Sequence, residues 1–535
     1  MAEQRFQGRP AAPGLAEGIL ARPGIVIGAR TRLPSAEDEA DALSDAVQQA
    51  ARDVAALAGA SEGEAAEILA FQVAMLEDPA LVERAMEAIA GGEAADTAWE
   101  EAMDAEIAGY RHADDAYFRA RAADLADIRA RVLAMLTGAA VEELPPGAIV
   151  LAEDLPPSRF LAIDWTAGGG IALSEGSPSS HVAMLARGRG VPMVVGLGSA
   201  AEALAPGTPA LVDGNAGLLV VAPAPETRAG LHRAARVQQA RRAAAEVFRF
   251  APAATADGTL IRVLVNLGDA AELDALDPGM CDGIGLVRTE FLFQAGHGLP
   301  DEEAQFAVYA RIVRWAAGRP VVLRTLDAGG DKPVPGLTVA GEANPFLGLR
   351  GIRLSLAHPA IFRVQLRAMV RAAALGDLSV MLPMVSVPAE LEAARTLLAG
   401  EAAALGLAVP RLGMMVEVPA AALCAGRFAA DFYSIGSNDL TQYTLAAARD
   451  NAAVASLNDP ADPAVLELIR RTVAAGAARG VAVSLCGDAA GEPRLAAALL
   501  QAGLRALSMA PAAVAEVKQA IAAITLDRNQ AGDAP

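Results

Sequence analysis

The chain is 535 residues long, 53% apolar but only 4% aromatic, with three cysteines and a formal charge of −20. That length exceeds one ordinary core and implies roughly two to four domains, while the acidity argues against a nucleic-acid partner. Cys281, Cys424 and Cys486 form no CxxC pair, which argues against a disulfide framework or structural zinc and fits a reducing cytoplasm; a polar Met1–Arg9 and the lack of a long apolar run leave neither signal peptide nor membrane span.

The early Gly8–Ala21 segment has the texture of a strand. Residues 35–137 then show helical spacing, with runs such as Ala65–Leu76 and Leu81–Ile89 separated by Glu77-Asp78-Pro79. From Glu37 to Asp127 there are 23 acidic and 5 basic side chains, a local net charge of −18, so nearly all of the excess charge sits here. A solvated helical surface explains that charge, and so does a docking face that steers a basic protein partner. Past Pro145 the pattern changes to short apolar runs (Ala148–Ala152, Gly170–Leu173, Met193–Val195, Leu218–Val221), read as buried strands of a small α/β domain into which the helices are inserted. Thr227–Phe248 reads as a linker helix.

Beyond Asp257 apolar strands alternate with helical segments. The candidates are Ile261–Val265, Gly283–Val287, Val321–Leu323, Ser379–Leu382, Leu412–Val416, Phe432–Ile435, Ala482–Leu485 and Arg505–Ser508. Eight parallel strands over roughly 270 residues are the number in a (β/α)8 TIM barrel, with a doubly wound sheet as the alternative. Polar residues fall where a barrel gathers its chemistry, just past the strand ends. They are Arg288-Thr289-Glu290, Arg324 to Asp327, Gly329 to Lys332, Glu417, Ser437-Asn438-Asp439 and Cys486-Gly487-Asp488, with Arg449 one short helix further on.

Arginine pairs two oxygens of a phosphate or carboxylate at once, so three arginines suit a small ligand bearing both groups. Glu417 and Asp439 offer oxygens of the kind Mg2+ prefers, or else pair with nearby arginines. Arginine, Mg2+ and the Asn438 amide together spread the charge of a transferring phosphoryl group. Cys486 reads as a core cysteine or as a general acid toward an enolate carbon. Of the five histidines, His112, His232, His297 and His358 stand in ordinary settings. His181 differs, because it follows the small-residue loop Gly176 to Ser180 and opens a helical run, where backbone N–H groups favour a phosphate on the imidazole.

The run Ser179-Ser180-His181-Val182-Ala183-Met184-Leu185-Ala186-Arg187 resembles the phosphohistidine motif of phosphoenolpyruvate-utilising enzymes. Gly285 to Phe293, Arg324 to Lys332, Asn344 to Arg350, Met414 to Pro419 and Ser434 to Tyr443 look like their barrel signatures. Pro10 to Gly14 and Met75 to Pro79 are similar to Enzyme I of the bacterial phosphoenolpyruvate-dependent sugar phosphotransferase system. The resemblance implies a helical subdomain docking the phosphocarrier HPr (35–137), a swivelling phosphohistidine domain (1–34 with 138–222) and a linker helix (223–254). It further implies a phosphoenolpyruvate-binding, dimerising barrel (255–528) and a flexible tail (529–535). Carried over motif by motif, Arg288, Arg324 and Arg449 bind phosphoenolpyruvate with Asn438 on its phosphate. Glu417 and Asp439 hold Mg2+, Cys486 protonates the enolate, and His181 is phosphorylated and serves HPr in a cytoplasmic homodimer.

The sequence departs from that family in places. Gly176-Ser177-Pro178-Ser179-Ser180 stands where Gly-Gly-Arg-Thr-Ser is usual, Ala448 where an acidic residue often precedes the arginine, and Asp488 where Glu is common. Relatives that make phosphoenolpyruvate or use a nucleotide need a further domain, for which no Gly-rich, Lys-bearing phosphate loop is present. A regulator keeping only the fold is disfavoured by the intact set of charged strand-end residues. The chain reads as a stand-alone form, without a fused carrier or sensor domain.

Overall fold

The computed structural model describes residues 2–526 apart from 24, 27–29, 60–68, 70–71, 112–115, 139, 142–143, 177–179, 295–298, 331, 333, 335, 339–341, 449–453 and 455–456. It divides into two compact units, Met1–Gln239 and Ala240–Pro535, with the boundary inside the long helix Pro225–Ala245. That helix gives way to a 3-10 turn at Glu246–Phe248, close to the end expected of the linker. Among the described residues no helix is long and apolar enough to cross a membrane.

The N-terminal unit is built on an eight-stranded sheet. Its spatial order is Gln4–Gln7, Leu218–Val221, Pro209–Asp213, Leu15–Ala21, Ile149–Ala152, Gly170–Leu173, Met193–Val195 and Arg9–Ala12. Leu15–Ala21 runs parallel to Ile149–Ala152 and antiparallel to Pro209–Asp213, so a parallel centre carries antiparallel flanks. Gly8–Ala21, expected to supply one strand, supplies two, because the turn at Pro13-Gly14 sends Arg9–Ala12 to the far edge. Gln4–Gln7 and Pro209–Asp213 are additional strands. The first is polar and mostly exposed, and the second opens on a proline, so neither shows a clean apolar run.

Between the third strand in sequence and the central parallel strands the chain forms the helices Ala36–Gly59, Pro79–Ala90, Ala95–Arg111 and Ala116–Thr137. Leu43, Val47, Val54, Ile89, Trp99, Met103, Leu125 and Val132 form their own core, and the fully buried Trp99 indole donates to the Arg129 carbonyl at 3.3 Å. The Glu77-Asp78-Pro79 break is a helix start. Asp78 caps it by accepting from the Ala80 N–H at 2.9 Å, and proline fits the first turn, where no N–H partner is needed. Buried Glu39 ties the insertion to the incoming chain, accepting from the N–H groups of Leu33 (2.6 Å) and Ala95 (2.9 Å) and pairing with Arg30 at 2.5 Å. The opposite face is acidic and wet: Glu83, Glu87, Glu93, Glu100, Glu101, Asp104 and Glu106 are all exposed.

The C-terminal unit is a closed barrel of eight parallel strands. They are Arg262–Leu267, Ile284–Val287, Val321–Arg324, Leu378–Leu382, Arg411–Val416, Phe432–Ile435, Ala482–Leu485 and Ala506–Met509, each bound within two residues of the run expected from sequence. The last strand pairs with the first, which excludes the doubly wound alternative. Lys518 secures the unit from inside: its ammonium donates to the carbonyls of Arg249 (2.9 Å), Ala251 (2.9 Å) and Met280 (2.8 Å), satisfying all three of its protons.

Candidate active site

At the carboxyl end of the barrel the third strand delivers Arg324 and, one turn on, Asp327, both buried. A hydrogen-bond relay fixes that strand end. Gln365 accepts from Leu326 N–H at 3.0 Å and donates to Thr289 at 3.2 Å, while the Thr289 hydroxyl donates to the Arg324 carbonyl at 2.9 Å. The Arg324 guanidinium pairs with Glu290, from the end of the second strand, and lies 3.3 Å from Asp327. Lys332 reaches both carboxylates, at 2.8 Å to Asp327 and 3.3 Å to Glu290.

Arg350 completes the cluster. Fully buried, it forks onto Asp327 (3.1 Å from Nε and 3.1 Å from Nη2) and onto Asp439 (2.9 Å from Nη1 and 3.1 Å from Nη2). Tyr443 is within 3.3 Å of Nη1, and its own hydroxyl donates to the Phe346 carbonyl at 2.5 Å. Burial works against charge on Asp327, but Lys332, Arg324 and Arg350 outweigh it and hold the carboxyl far below its usual range. Burial likewise opposes charge on the two buried arginines, and the facing carboxylates outweigh it, so both stay firmly protonated.

Glu417, at the end of the fifth strand, is different. Burial, with Asp439 and Asp327 facing it, pushes its carboxyl up to about 8. Its bonding partner is backbone: the Met384 N–H donates to Oε1 at 2.6 Å. Met384 delivers that N–H from a left-handed conformation (φ 57°), which costs a side-chain-bearing residue about 1 kcal/mol or more. Gly351 (φ +59°) makes room, because a Cβ there would come 2.9 Å from Met384 Cβ. Among the described residues Arg324, Lys332 and Arg350 face Glu290, Asp327, Glu417 and Asp439, and of these carboxylates Glu417 is the one pushed upward. Buried polar atoms without a partner (Glu290 Oε2, Arg324 Nε, Thr325 Oγ1, Thr441 Oγ1) cluster around the same strand ends.

Cys486 lies buried beside Leu286, Met381 and Met415 at the end of the seventh strand. Burial pushes its thiol up to about 11, and Arg288 is near enough to act weakly in the opposite direction. The Asn266 amide donates to the Cys486 carbonyl at 2.9 Å, and the turn that follows needs glycine, since a Cβ on Gly487 would sit 1.9 Å from Ser437 Oγ. Asn438 is locked to Asp488 in both directions, at 2.9 Å each.

Of the residues singled out by sequence, Arg324, Glu417, Asp439 and Cys486 therefore converge on one mouth, with Arg288 on its exposed side and Asn438 beside it. Arg449 lies outside the described residues, as does the Ser177–Ser179 loop. His181 is the first residue of the helix His181–Arg189, capped by the Ser180 hydroxyl accepting from Ala183 N–H at 3.3 Å. Both oxygens of Asp439 are engaged by Arg350, so the ion-pair reading of that residue holds in this state. Arg350 itself, Tyr443 and Met384 carried no assigned role in the sequence reading. The signals for Arg350 were its place in the Asn344 to Arg350 stretch and a lone cation at the end of the apolar run Phe346 to Leu349.

The fold and mouth define a barrel with a dense set of charges at the carboxyl ends of its strands, and comparison with known families gives it a class. The families described as PEP-utilising enzyme, N-terminal, mobile domain and PEP-binding domain match residues 7–121, 144–217 and 242–526. A multiphosphoryl transfer protein of Rhodobacter capsulatus is 41% identical over 83% of this chain, which spans only about half of that longer protein (54%). Phosphoenolpyruvate-protein phosphotransferases are similar over more of their length. The one from Haloferax volcanii is 42% identical over 86% of this chain and 82% of its own, and that from Bacillus sp. (strain S) 37% over 94% and 92%. The chain belongs to the family of phosphoenolpyruvate-utilising enzymes, and within it falls with the phosphoenolpyruvate-protein phosphotransferases.

Proposed function

We propose that this chain takes the phosphoryl group of phosphoenolpyruvate onto His181 and passes it to a histidine of an HPr-type phosphocarrier, releasing pyruvate as the first step of sugar phosphotransferase uptake. The observation that carries the reading is the buried set Arg324, Arg350, Glu290, Asp327, Glu417 and Asp439, with half-buried Lys332 beside it, at the carboxyl ends of a closed barrel.

In this reading Arg288, Arg324 and Arg449 hold the carboxylate and phosphate of phosphoenolpyruvate, with the Asn438 amide on the phosphate. The bond between the phosphorus and the enol oxygen breaks as one forms to the His181 imidazole, and the enolate carbon takes the Cys486 proton. A thiol held near 11 retains that proton at neutral pH until a strong carbon base appears. Arg350 and the Met384 N–H orient the acidic pair, Asp439 and Glu417.

A divalent cation, read here as Mg2+, fits the carboxylate at Glu417, whose repulsion by Asp439 and Asp327 a cation relieves. Among the described residues no cluster of three or more His, Cys, Asp or Glu could hold a metal unaided. Glu417 and Asp439 would be two protein ligands of such an ion, the substrate supplying others, and the ion would neutralise charge on the phosphoryl oxygens. The divisions 1–34 with 138–222, 35–137, 223–254 and 255–528 serve as phosphohistidine domain, docking helices, linker and dimerising barrel; 529–535 lie outside the described residues. The exposed acidic face supports docking of a basic carrier in the cytoplasm.

Incubation with labelled phosphoenolpyruvate and Mg2+ is expected to leave acid-labile label on the chain that moves on to an added HPr-like protein. Label that forms and never moves would favour a regulatory role instead.

A further inference from the structure

The N-terminal unit holds a cavity of about 1040 Å3 between its inserted helices and its sheet. One helix contributes Asp127, Ala130, Arg131, Ala134 and Met135, a single face at helical spacing, and the sheet side contributes Leu151 to Pro156, Ser158 and Arg159. Arg131 and Arg159 are near enough for their charges to repel, and both feel the Asp127 carboxyl. Among the described residues neither guanidinium has a hydrogen bond or an ion pair, although Asp53, Glu153 and Asp154 also line the space. The Ser158 hydroxyl, fully buried, stands beside Asp127 without a hydrogen bond of good geometry. Asp127 is itself buried, bonded at 3.2 Å by the Gln72 amide, and burial pushes its carboxyl upward, which weakens its hold on the arginines. Two half-buried guanidiniums that line one cavity without a hydrogen bond, beside a buried hydroxyl and facing Asp127, are a donor set suited to a phosphate group.

The cavity is lined in part by a strand and its continuation, and the neighbouring strand precedes the His181 helix. Ile149–Ala152 and Gly170–Leu173 are parallel neighbours, and their pairing continues through Ser174 N–H to Ala152 O (2.9 Å) and Glu175 N–H to Glu153 O (3.0 Å). The first strand turns into the cavity lining and the second into the loop leading to His181. The helices that follow, Pro157–Ala162 and His181–Arg189, share one apolar cluster through Phe160, Val182, Ala183 and Ala186.

We propose that this cavity is a phosphate-binding site in which Arg159, Arg131 and the Ser158 hydroxyl hold a phosphate group, brought either by a free phosphate or by phosphorylated His181. The second source rests on the His181 reading above, and the first does not.

The test is hydrogen–deuterium exchange on the full chain, read in segments 127–138 and 153–162. In a His181→Ala chain, inorganic phosphate slows exchange in both segments if the site takes free phosphate. Arg159→Gln or Arg131→Gln then weakens the effect about tenfold or more, with Arg159→Lys intermediate. In the wild-type chain treated with phosphoenolpyruvate, the same protection without added phosphate assigns the site to phosphohistidine, which the glutamine variants then hydrolyse about tenfold faster. The proposal is overturned if neither phosphate nor phosphorylation alters these segments. It is equally overturned if the alterations persist undiminished in glutamine variants that melt like the wild type. A chain that takes no label at His181 sinks that earlier reading while the phosphate arm still decides this one.

Discussion

Replacing Arg350 by methionine keeps most of the apolar stem and removes a guanidinium that is fully buried. Five hydrogen bonds go with it, two to Asp327 and two to Asp439 at 2.9–3.1 Å and one to Tyr443 at 3.3 Å. Breaking a buried ion pair from one side costs about 3–5 kcal/mol, because the partner stays behind desolvated and uncompensated. Asp327 retains Lys332 at 2.8 Å and Arg324 at 3.3 Å, so the lower end, about 3 kcal/mol, applies. For a domain of this size that corresponds to a fall of roughly 6–12 °C in the barrel's melting transition, measured by calorimetry on the full chain. Mg2+ affinity should change as well, since Asp439 loses the group that orients it. A melting temperature within about 1 °C of wild type would refute the view that Arg350 organises the acidic pair.

Glu417 sets a pH dependence. Its carboxyl ionises near 4.5 when unfolded and near 8 in the folded, metal-free barrel. Between those values the folded state binds more protons than the unfolded one, so metal-free stability falls as pH rises across that window, and saturating Mg2+ reverses the loss. Calorimetric scans at several pH values with and without Mg2+ read this directly, and a flat profile would contradict it. For Cys486, brief iodoacetamide treatment at pH 7 should modify the exposed Cys424 while sparing buried Cys281 and Cys486, as peptide mass mapping would show. Cys486→Ala should slow pyruvate formation about a hundredfold or more while leaving phosphoenolpyruvate affinity nearly unchanged. Ser180→Ala removes the cap of the His181 helix and should cost about 1 kcal/mol, seen as faster amide exchange at Val182 and Ala183.

The barrel was legible in the sequence because six of its eight strands are short apolar runs closed by glycine, proline or a charged residue, and the parallel topology demands such runs. The polar edge strand Gln4–Gln7 was not, since an edge strand exposed on both faces has no pattern to display. The mouth was legible as a list of strand-end residues, but its electrostatics were not. That Arg350 would be buried and occupy both oxygens of Asp439, and that Glu417 would be the carboxylate pushed upward, follow from a long connection folding back over the barrel. Sequence spacing carries no record of that. Arg131 and Arg159 were silent for the same reason: they meet across the junction of an inserted domain with its host, a contact between residues on different elements of that fold.

The central claim is that phosphate from phosphoenolpyruvate rests on His181. Labelling the full chain with phosphoenolpyruvate and Mg2+, then mapping the acid-labile label by peptide sequencing in wild-type and His181→Ala chains, tests it most directly. The account predicts one labelled peptide containing His181 and no label in the variant. Undiminished label in His181→Ala would contradict it.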